Sequence, residues 1–425
     1  MKKDYTLDLI NVVKEDTNPA LGCTEPVAVA FAASVASDHS EGELKKLEVI
    51  VSKNIYKNGK SVLIPHTGKC GLDLAAAVGF VGGDSAEEFM VLSSVDPEDL
   101  KVAEQMLDAG IVKLSYDQDT PDVYVKIIAK ADNHVEIVLQ DAHTHIHRII
   151  VDGEIIYEGE FGQEVKTSKE FLKELTFKEI REITEGIPIE DLAFIMDGVE
   201  MNLLAAEAGL EGEVGLGIGK KLKSMEEDGL ISMDAGTRSR ILTAAAADMR
   251  MGGGECPIMT SGGSGNQGLG VILPIYVVAE EKGLDEETLL RGVFFAHSIN
   301  EYVKIYSGKL SGMCGCAIGA GIGATAGITW MLDGDDVQIA GAANNMFANI
   351  SGMLCDGAKD TCSLKLATSA AEAVLSAYLS LNGVLVNPKV GVIGENIEET
   401  IKNIGKLAHQ GFKNVDDTML EIIDQ

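Results

Sequence analysis

Two closely spaced cysteine pairs are the residues best suited to metal chemistry. Cys314 and Cys316 are separated by one glycine. Cys355 and Cys362 are the first and last residues of the segment CDGAKDTC. Three thiolates from this set could hold three irons of a [4Fe–4S] cluster and leave the fourth iron open to a substrate. An open coordination position distinguishes a catalytic metal centre from a structural one. Spacing alone leaves ordinary buried cysteines as the alternative.

A fifth cysteine, Cys23, is predicted to lie at the N-terminus of a helix. The chain breaks at TNPALG and resumes as the apolar run PVAVAFAASVA, with Pro26 where the first helical turn would start. Backbone N–H groups at such an end favour negative charge. Cys23 is therefore predicted to have a lowered pKa and to be partly a thiolate near neutral pH.

The polar loop TSGGSGNQG at 260–268 is a candidate site for a substrate carboxylate. Ser261, Ser264 and Asn266 offer polar side chains, and the loop amides are predicted to form an anion-binding nest. A flexible linker is the alternative, although an apolar run follows at once. His66, in a turn bounded by glycine, is a further candidate for the same site.

The elements that must position these residues predict an α+β fold. Alternating patterns predict strands at 47–52, 61–65, 123–130, 135–140, 147–153 and 154–159, with a turn at Asp152 and Gly153. After about residue 165 the pattern becomes almost entirely helical. The predicted organisation is a smaller α/β domain at 41–160 and a mainly helical, cluster-binding domain made of 1–40 and 161–425.

Charge and composition exclude several classes of partner. The formal charge is −31, from 35 Lys and Arg against 66 Asp and Glu, so the chain repels nucleic acid and anionic membranes. The uncharged stretch 310–332 contains six glycines and is predicted to be a buried helix rather than a membrane span. The histidines of HTHIH at 143–147 could bind zinc, but an exposed strand gives the same pattern and is preferred.

The N-terminal residues argue against export. Asp4, Asp8 and Glu15 interrupt any apolar run of signal-peptide length, and the seven cysteines are an odd number. We therefore expect a cytoplasmic protein with reduced thiols. The expected partner is a small amino-acid substrate, and the sequence is compatible with a homo-oligomer. Nucleic acid and membrane are not expected partners.

Four motifs spread over the whole chain resemble the L-cysteine desulfidase family, which is related to the α domain of the iron–sulfur L-serine dehydratases. They are NPALGCTEPVAVAFA at 18–32, SGGSGNQG at 261–268, LSGMCGCAIGAGIGATAGI at 310–328 and GMLCDGAKDTC at 352–362. The resemblance implies an oxygen-sensitive [4Fe–4S] lyase that does not use pyridoxal phosphate. Its reaction would convert L-cysteine and water to pyruvate, ammonia and hydrogen sulfide.

The resemblance also implies roles for individual residues. Cys355 and Cys362 match two cluster ligands, and the third falls at the CGC motif, where Cys314 is preferred and Cys316 is the alternative. Cys23 matches the catalytic thiol, with Asn18, Thr24 and Glu25 as its neighbours at the substrate site.

Two alternative functions remain open at this stage. One is an L-serine dehydratase that uses the same cluster on a hydroxyl leaving group. The other is a non-catalytic protein in which the cysteine pairs bind zinc or sense redox state.

Overall fold

The computed structural model of the chain describes residues 3–159, 168–308, 311–412 and 414–423. Its α-helices are α1 (Thr6–Asp16), α2 (Thr24–Asp38), α3 (Lys53–Gly59), α4 (Leu72–Gly82), α5 (Pro97–Asp108), α6 (Phe177–Gly186), α7 (Phe194–Glu211), α8 (Ile218–Glu227), α9 (Ala235–Met251), α10 (Gly265–Lys282), α11 (Glu286–Ser307), α12 (Ile322–Met331), α13 (Asp336–Ile350), α14 (Cys362–Leu381), α15 (Ile397–Lys406) and α16 (Val415–Ile423). Short 3₁₀ segments span Ser85–Met90, Lys169–Glu174 and Ile189–Leu192, and π-helical turns span Cys316–Gly321 and Leu407–Gly411. The strands are β1 (Pro19–Ala20), β2 (Lys46–Ser52), β3 (Val112–Asp117), β4 (Tyr124–Lys130), β5 (His134–Gln140), β6 (Ile146–Val151), β7 (Glu154–Glu158) and β8 (Ile258–Met259).

These elements confirm the predicted α+β class. Strands β2 to β7 form one mixed sheet in the order β3-β2-β4-β5-β6-β7, in which only the β2–β3 pair is parallel. Val49 of β2 lies opposite Leu114 of β3 and Ile127 of β4, which fixes the register at the centre of the sheet. Alternate residues of β2, β4 and β5 are fully buried, because one face of these strands packs against helices.

Helices α2 and α4 cover that buried face. The apolar residues of 27–36 in α2 and of 72–78 in α4 belong to the same cluster as the inward residues of the sheet. Helix α1 instead packs in the helical core, through Leu9 and Val13. The predicted domain boundary between residues 40 and 41 stays a prediction. The second predicted boundary, between residues 160 and 161, lies outside the described residues.

The larger core belongs to the helical part of the chain. It is built around α10, α11 and α12, whose buried residues include Phe294, Phe295 and Tyr302, with α13 and α15 packed outside them. Gly323 lies against the backbone of α11, where an added Cβ would meet the Ala296 carbonyl oxygen at 2.3 Å. The low aromatic content is therefore compensated by close helix contacts through small residues.

A two-stranded ladder links the N-terminal segment to the polar loop that precedes α10. Pro19 of β1 pairs with Met259 of β8, and the next pair joins Ala20 to Ile258. Asn18 extends the contact, since its backbone N–H donates to Thr260 Oγ1 at 2.8 Å and its carbonyl accepts from Thr260 N at 3.0 Å. This ladder brings the start of α2 close to the start of α10.

The structure corrects several local predictions. The predicted strand at 61–65 is wrong: it makes only one isolated bridge, Leu63 with Cys70. Strand β3 was not predicted, because its exposed Lys113 and Asp117 give no clear buried face. The turn at Asp152 and Gly153 is confirmed, with φ of 51° and 84°.

Two further predictions concern the histidine segment and the uncharged stretch. His143 and His145 lie in the turn before β6, so the strand predicted for 143–147 holds only at its end. From residue 311 onward the uncharged stretch is buried as predicted, and residue 310 lies outside the described residues. In the described chain, no helix has both the length and the apolarity needed to cross a membrane.

Candidate active site

One cavity of about 740 Å³ lies where the sheet and its helices meet the helical core. Its walls come from the start of α2, from the β5–β6 turn, and from the loops that precede α10, the π-helical turn and α14. It brings together most of the predicted site residues: Asn18, Cys23, Thr24, Glu25, Ser264, Asn266, Cys314, Cys316, Cys355 and Cys362. His66 and Ser261 do not line it.

The four clustered cysteines come from two loops that hold each other through backbone hydrogen bonds. Cys314 N–H donates to the Met353 carbonyl at 2.9 Å, and Cys355 N–H donates to the Gly312 carbonyl at 2.9 Å. Cys362 is the first residue of α14. The two loops and one helix start thus present sulfur to a single wall of the cavity.

A glycine lets the loop that carries Cys355 pack closely against α3. Gly357 has a φ of +91°, and an added Cβ there would meet the Lys57 carbonyl oxygen at 2.4 Å. A side chain at this position would therefore push the Cys355 loop away from α3. Lys57 itself is buried and donates to Asp416 of α16 at 2.5 Å, so α3 and α16 support the loop from behind.

Cys314 and Cys316 have different electrostatic environments. A hydrogen bond from the Cys316 thiol and hydrogen bonds from the backbone N–H groups of Ala317 and Cys316 lower the pKa of Cys314, although its burial opposes them. The same thiol–thiol hydrogen bond, together with burial, raises the pKa of Cys316. In this pair Cys314 is the better thiolate and Cys316 the donor.

Cys23 lies where the sequence predicted, but its protonation differs from the prediction. It is the residue before the first turn of α2 and is 2% exposed. Burial raises the pKa of Cys23 to about 12; Arg250 opposes this shift, whereas Glu25 and Cys362 add to it. The predicted lowering is therefore wrong, because desolvation of the thiolate outweighs the effect of the helix N-terminus.

The polar neighbours of Cys23 form a buried cluster at the start of α2. Glu25 is 6% exposed, and its carboxylate accepts from Asn58 Nδ2 at 2.9 Å and from Thr24 Oγ1 at 3.2 Å. Asn18 uses its side-chain amide to donate to the Glu15 carbonyl at 2.8 Å, which closes the end of α1. Asn58 is a lining residue that the sequence analysis missed, since nothing in α3 distinguishes it from a surface amide.

The loop at 260–268 uses part of its backbone for hydrogen bonds within the protein. Ser261 and Ser264 exchange backbone hydrogen bonds at 3.0 and 3.1 Å around Gly262 and Gly263, which have φ of +57° and +70°. Gly263 N–H donates to the Asp16 carbonyl. The amides of Ser261, Gly263 and Ser264 are therefore satisfied within the protein, which leaves the amides at the start of α10 for the predicted nest. The alternative of a flexible linker is wrong, because these hydrogen bonds hold the loop in place.

Ser261 and His66 have partners elsewhere. The buried hydroxyl of Ser261 contacts His297 Nδ1 at 2.8 Å and accepts from Asn300 Nδ2 at 2.9 Å, beneath the loop. His66 has a φ of +63°, and its Nδ1 lies 3.1 Å from Glu255 Oε1. Both residues lie outside the cavity that they were predicted to line.

Arg250, at the end of α9, lines the cavity and was missed by the sequence analysis. It is 2% exposed, and its Nη1 donates to Asn266 Oδ1 at 2.8 Å. The sequence contained one sign of this burial. Arg250 directly follows the alanine-rich run ILTAAAADM, which lacks a polar face of the kind that a surface helix turns toward solvent. Residues 243–251 of α9 are all buried, and a charge buried in such a segment indicates a specific task.

Comparisons with known proteins identify the family of this chain. Residues 87–421 match the sequence model of the serine dehydratase alpha chain. A UPF0597 protein from Clostridium botulinum (strain Okra / Type B1) is 51% identical over 424 residues, covering 99% of this chain and 98% of the relative. UPF0597 proteins from Desulfotalea psychrophila and Clostridioides difficile are 40% and 36% identical, each covering at least 97% of both chains. The chain therefore belongs to the serine dehydratase alpha chain family.

Proposed function

We propose that this protein is a lyase that converts L-cysteine and water to pyruvate, ammonia and hydrogen sulfide, with a [4Fe–4S] cluster as its cofactor. The observation that carries the proposal is the convergence of Cys23 and four further cysteines on one cavity that also holds buried polar side chains. Membership of the serine dehydratase alpha chain family supports β-elimination from an amino acid as the type of reaction.

The donor set of the cavity wall suits an iron–sulfur cluster. Within the described residues, no group of three or more His, Cys, Asp or Glu side chains is arranged to hold a single metal ion. A cluster takes each thiolate on a different iron and so accepts a wider set of sulfur ligands. We assign Cys314, Cys355 and Cys362 as ligands and leave Cys316 as a hydrogen-bond donor to Cys314.

Positive charge next to these sulfurs also fits thiolate ligands. Lys365 lies in the first turn of α14, where Nζ donates to the Leu354 carbonyl at 2.8 Å and pairs with Asp356. Its charge favours the thiolate forms of nearby Cys314 and Cys362. When bound, the cluster would supply an iron with an open coordination position, which acts as a Lewis acid toward the leaving group.

The chain's own residues supply the proton chemistry. We assign Cys23 Sγ as the acceptor of the Cα proton, because this atom lies in the same cavity as the proposed ligands. To act as a base the thiol must first lose its own proton, which burial disfavours and the charge of Arg250 favours. Loss of that proton with cleavage of the Cβ–S bond forms a Cα=Cβ double bond and releases sulfide. The resulting aminoacrylate tautomerises to an imine, and water hydrolyses the imine to pyruvate and ammonia.

The experiment is a comparison of pyruvate release from L-cysteine and from L-serine, using protein prepared without oxygen. We expect the kcat/KM for L-cysteine to exceed that for L-serine. A clear preference for L-serine would contradict the substrate assignment and favour the serine dehydratase reaction that the family name describes. The absence of pyruvate from both would contradict the lyase.

Variants of two cysteines test the assignment of the base. Cys23→Ser should abolish turnover and leave the iron content unchanged, because this thiol is not an assigned ligand. The matched control is Cys70→Ser, since Cys70 is exposed and does not line the cavity. Loss of iron in Cys23→Ser would instead make Cys23 a ligand.

A further inference from the structure

A buried arginine in the cavity has no anionic partner among the described residues. Arg250 is 2% exposed, and its only hydrogen bonds go from Nη1 to Asn266 Oδ1 at 2.8 Å and to Met251 Sδ at 3.5 Å. Among the described residues, no carboxylate lies within ion-pairing distance of its guanidinium. A buried charge without a counter-ion is costly, so an anion from outside the protein is the expected partner.

The packing around Arg250 leaves one of its N–H donors without a partner. Arg250 Nε is fully buried and has no hydrogen-bond partner. Gly265 leaves room for it, because an added Cβ there would meet Arg250 Nε at 2.4 Å and Cζ at 2.7 Å. The packing at the start of α10 therefore accommodates a guanidinium group whose Nε–H is not used by the protein.

The N-terminus of α10 adds a second source of positive potential at the same wall. Helix α10 has 18 residues, and the side chain of Ser264 before it makes no capping hydrogen bond. Ser264, Asn266 and Gln267 all line the cavity. The first N–H groups of such a helix lack acceptors within the helix and attract anions.

The cavity also contains a buried carboxylate without a cationic partner. Both oxygens of Glu25 accept hydrogen bonds from the neutral groups of Asn58 and Thr24, and the Glu25 side chain is also hydrogen-bonded to the neutral Cys23 thiol. No lysine or arginine of the described chain forms an ion pair with it. Arg250 and Glu25 both lie close enough to Cys23 to act on its charge, in opposite directions.

We propose that Arg250, with the N-terminus of α10, binds the substrate carboxylate and that Glu25 binds the substrate ammonium group. One unpaired cation and one unpaired anion complement the two charges of an α-amino acid zwitterion. Binding between them places the Cα of the substrate beside Cys23. The inference rests on the proposed function, since it defines the substrate class of the same cavity, and it adds Arg250 as a substrate-binding residue.

The test is a set of binding measurements with ligands that have no leaving group. L-alanine carries both charges, L-alaninamide lacks the carboxylate, and L-lactate lacks the ammonium group. Calorimetry on the anaerobically prepared protein should show L-alanine binding about 10- to 100-fold more tightly than either analogue, the range expected for one charge-assisted contact. Absence of L-alanine binding, or equal affinity for the three ligands, would overturn the proposal.

Two variants assign each charge to its residue. Arg250→Gln should remove the preference for L-alanine over L-alaninamide and keep the preference over L-lactate. Glu25→Gln should do the reverse. The matched control is Arg238→Gln, because Arg238 lies on the same helix and pairs with Glu280 outside the cavity. An unchanged preference for the carboxylate in Arg250→Gln would overturn the role of Arg250.

Thermal unfolding separates this role from a structural one. Because Arg250 has no ion pair to lose, Arg250→Gln should unfold at the same temperature as the unliganded wild type or higher. A large fall in that temperature with unchanged ligand preference would make Arg250 structural. If the preferences follow the prediction but L-cysteine yields no pyruvate, the proposed elimination fails and the amino-acid site stands. Loss of turnover in Glu25→Gln with an unchanged preference over L-lactate would overturn the role of Glu25.

Discussion

The buried ion pair between α3 and α16 gives a prediction whose size follows from the structure. Lys57 Nζ lies 2.5 Å from Asp416 Oδ1, with side-chain exposures of 1% and 12%. In Asp416→Asn the lysine charge would stay buried without its partner. Breaking a buried pair in this way costs about 3–5 kcal/mol, and the partial exposure of Asp416 favours the lower end. We expect α16 to open at least about 100-fold more often.

Hydrogen exchange of the α16 amides, Val415–Ile423, measures this opening directly. The adjacent variant Asp417→Asn is the control, since Asp417 is 51% exposed in its pair with Lys53 and should change exchange by less than about 1 kcal/mol. The double variant Lys57→Met and Asp416→Leu should recover protection, because it removes both charges. Equal exchange in Asp416→Asn and Asp417→Asn would refute the argument that burial makes this pair important.

Three further predictions address the site. Burial lowers the pKa of His297 to about 3 from 6.5, so as the pH falls below 6.5 the unfolded chain binds a proton that the folded chain excludes. The urea-unfolding free energy of wild type relative to His297→Gln should thus be about 2 kcal/mol lower at pH 5 than at pH 7.5; a constant difference would contradict this. Gly265→Ala should displace Arg250 and weaken L-alanine binding by at least about 10-fold in calorimetry, whereas unchanged affinity would contradict the close contact. Cys316→Ser should retain iron and Cys314→Ser should lose it by metal analysis; the opposite pattern would exchange their roles.

The sequence predicted the start of α2 because Pro26 and the apolar run after it mark a helix boundary that local rules describe well. It could not predict the pKa of Cys23. The helix N-terminus is a local feature, whereas burial of the thiol depends on Met251, Val62 and Cys362, which lie far along the chain. Desolvation is a tertiary effect, and here it outweighs the local one.

The loop at 260–268 illustrates the same limit. Its composition predicted backbone amides that bind an anion, but composition does not state which acceptors the amides find. Pairing between Ser261 and Ser264, and the contact of Gly263 with Asp16, arise from the ladder that joins β1 to β8. Arg250 was missed for a related reason, since its burial follows from how α9 packs and not from its neighbours in the sequence.

The central claim is that three thiolates of this cavity hold an iron–sulfur cluster. Its most direct test is the metal and sulfide content of the wild-type protein purified without oxygen, with an absorption spectrum of the same sample. We expect a brown protein with about four irons and four acid-labile sulfides per chain. A colourless protein loaded with zinc would contradict the account and favour a non-catalytic zinc protein.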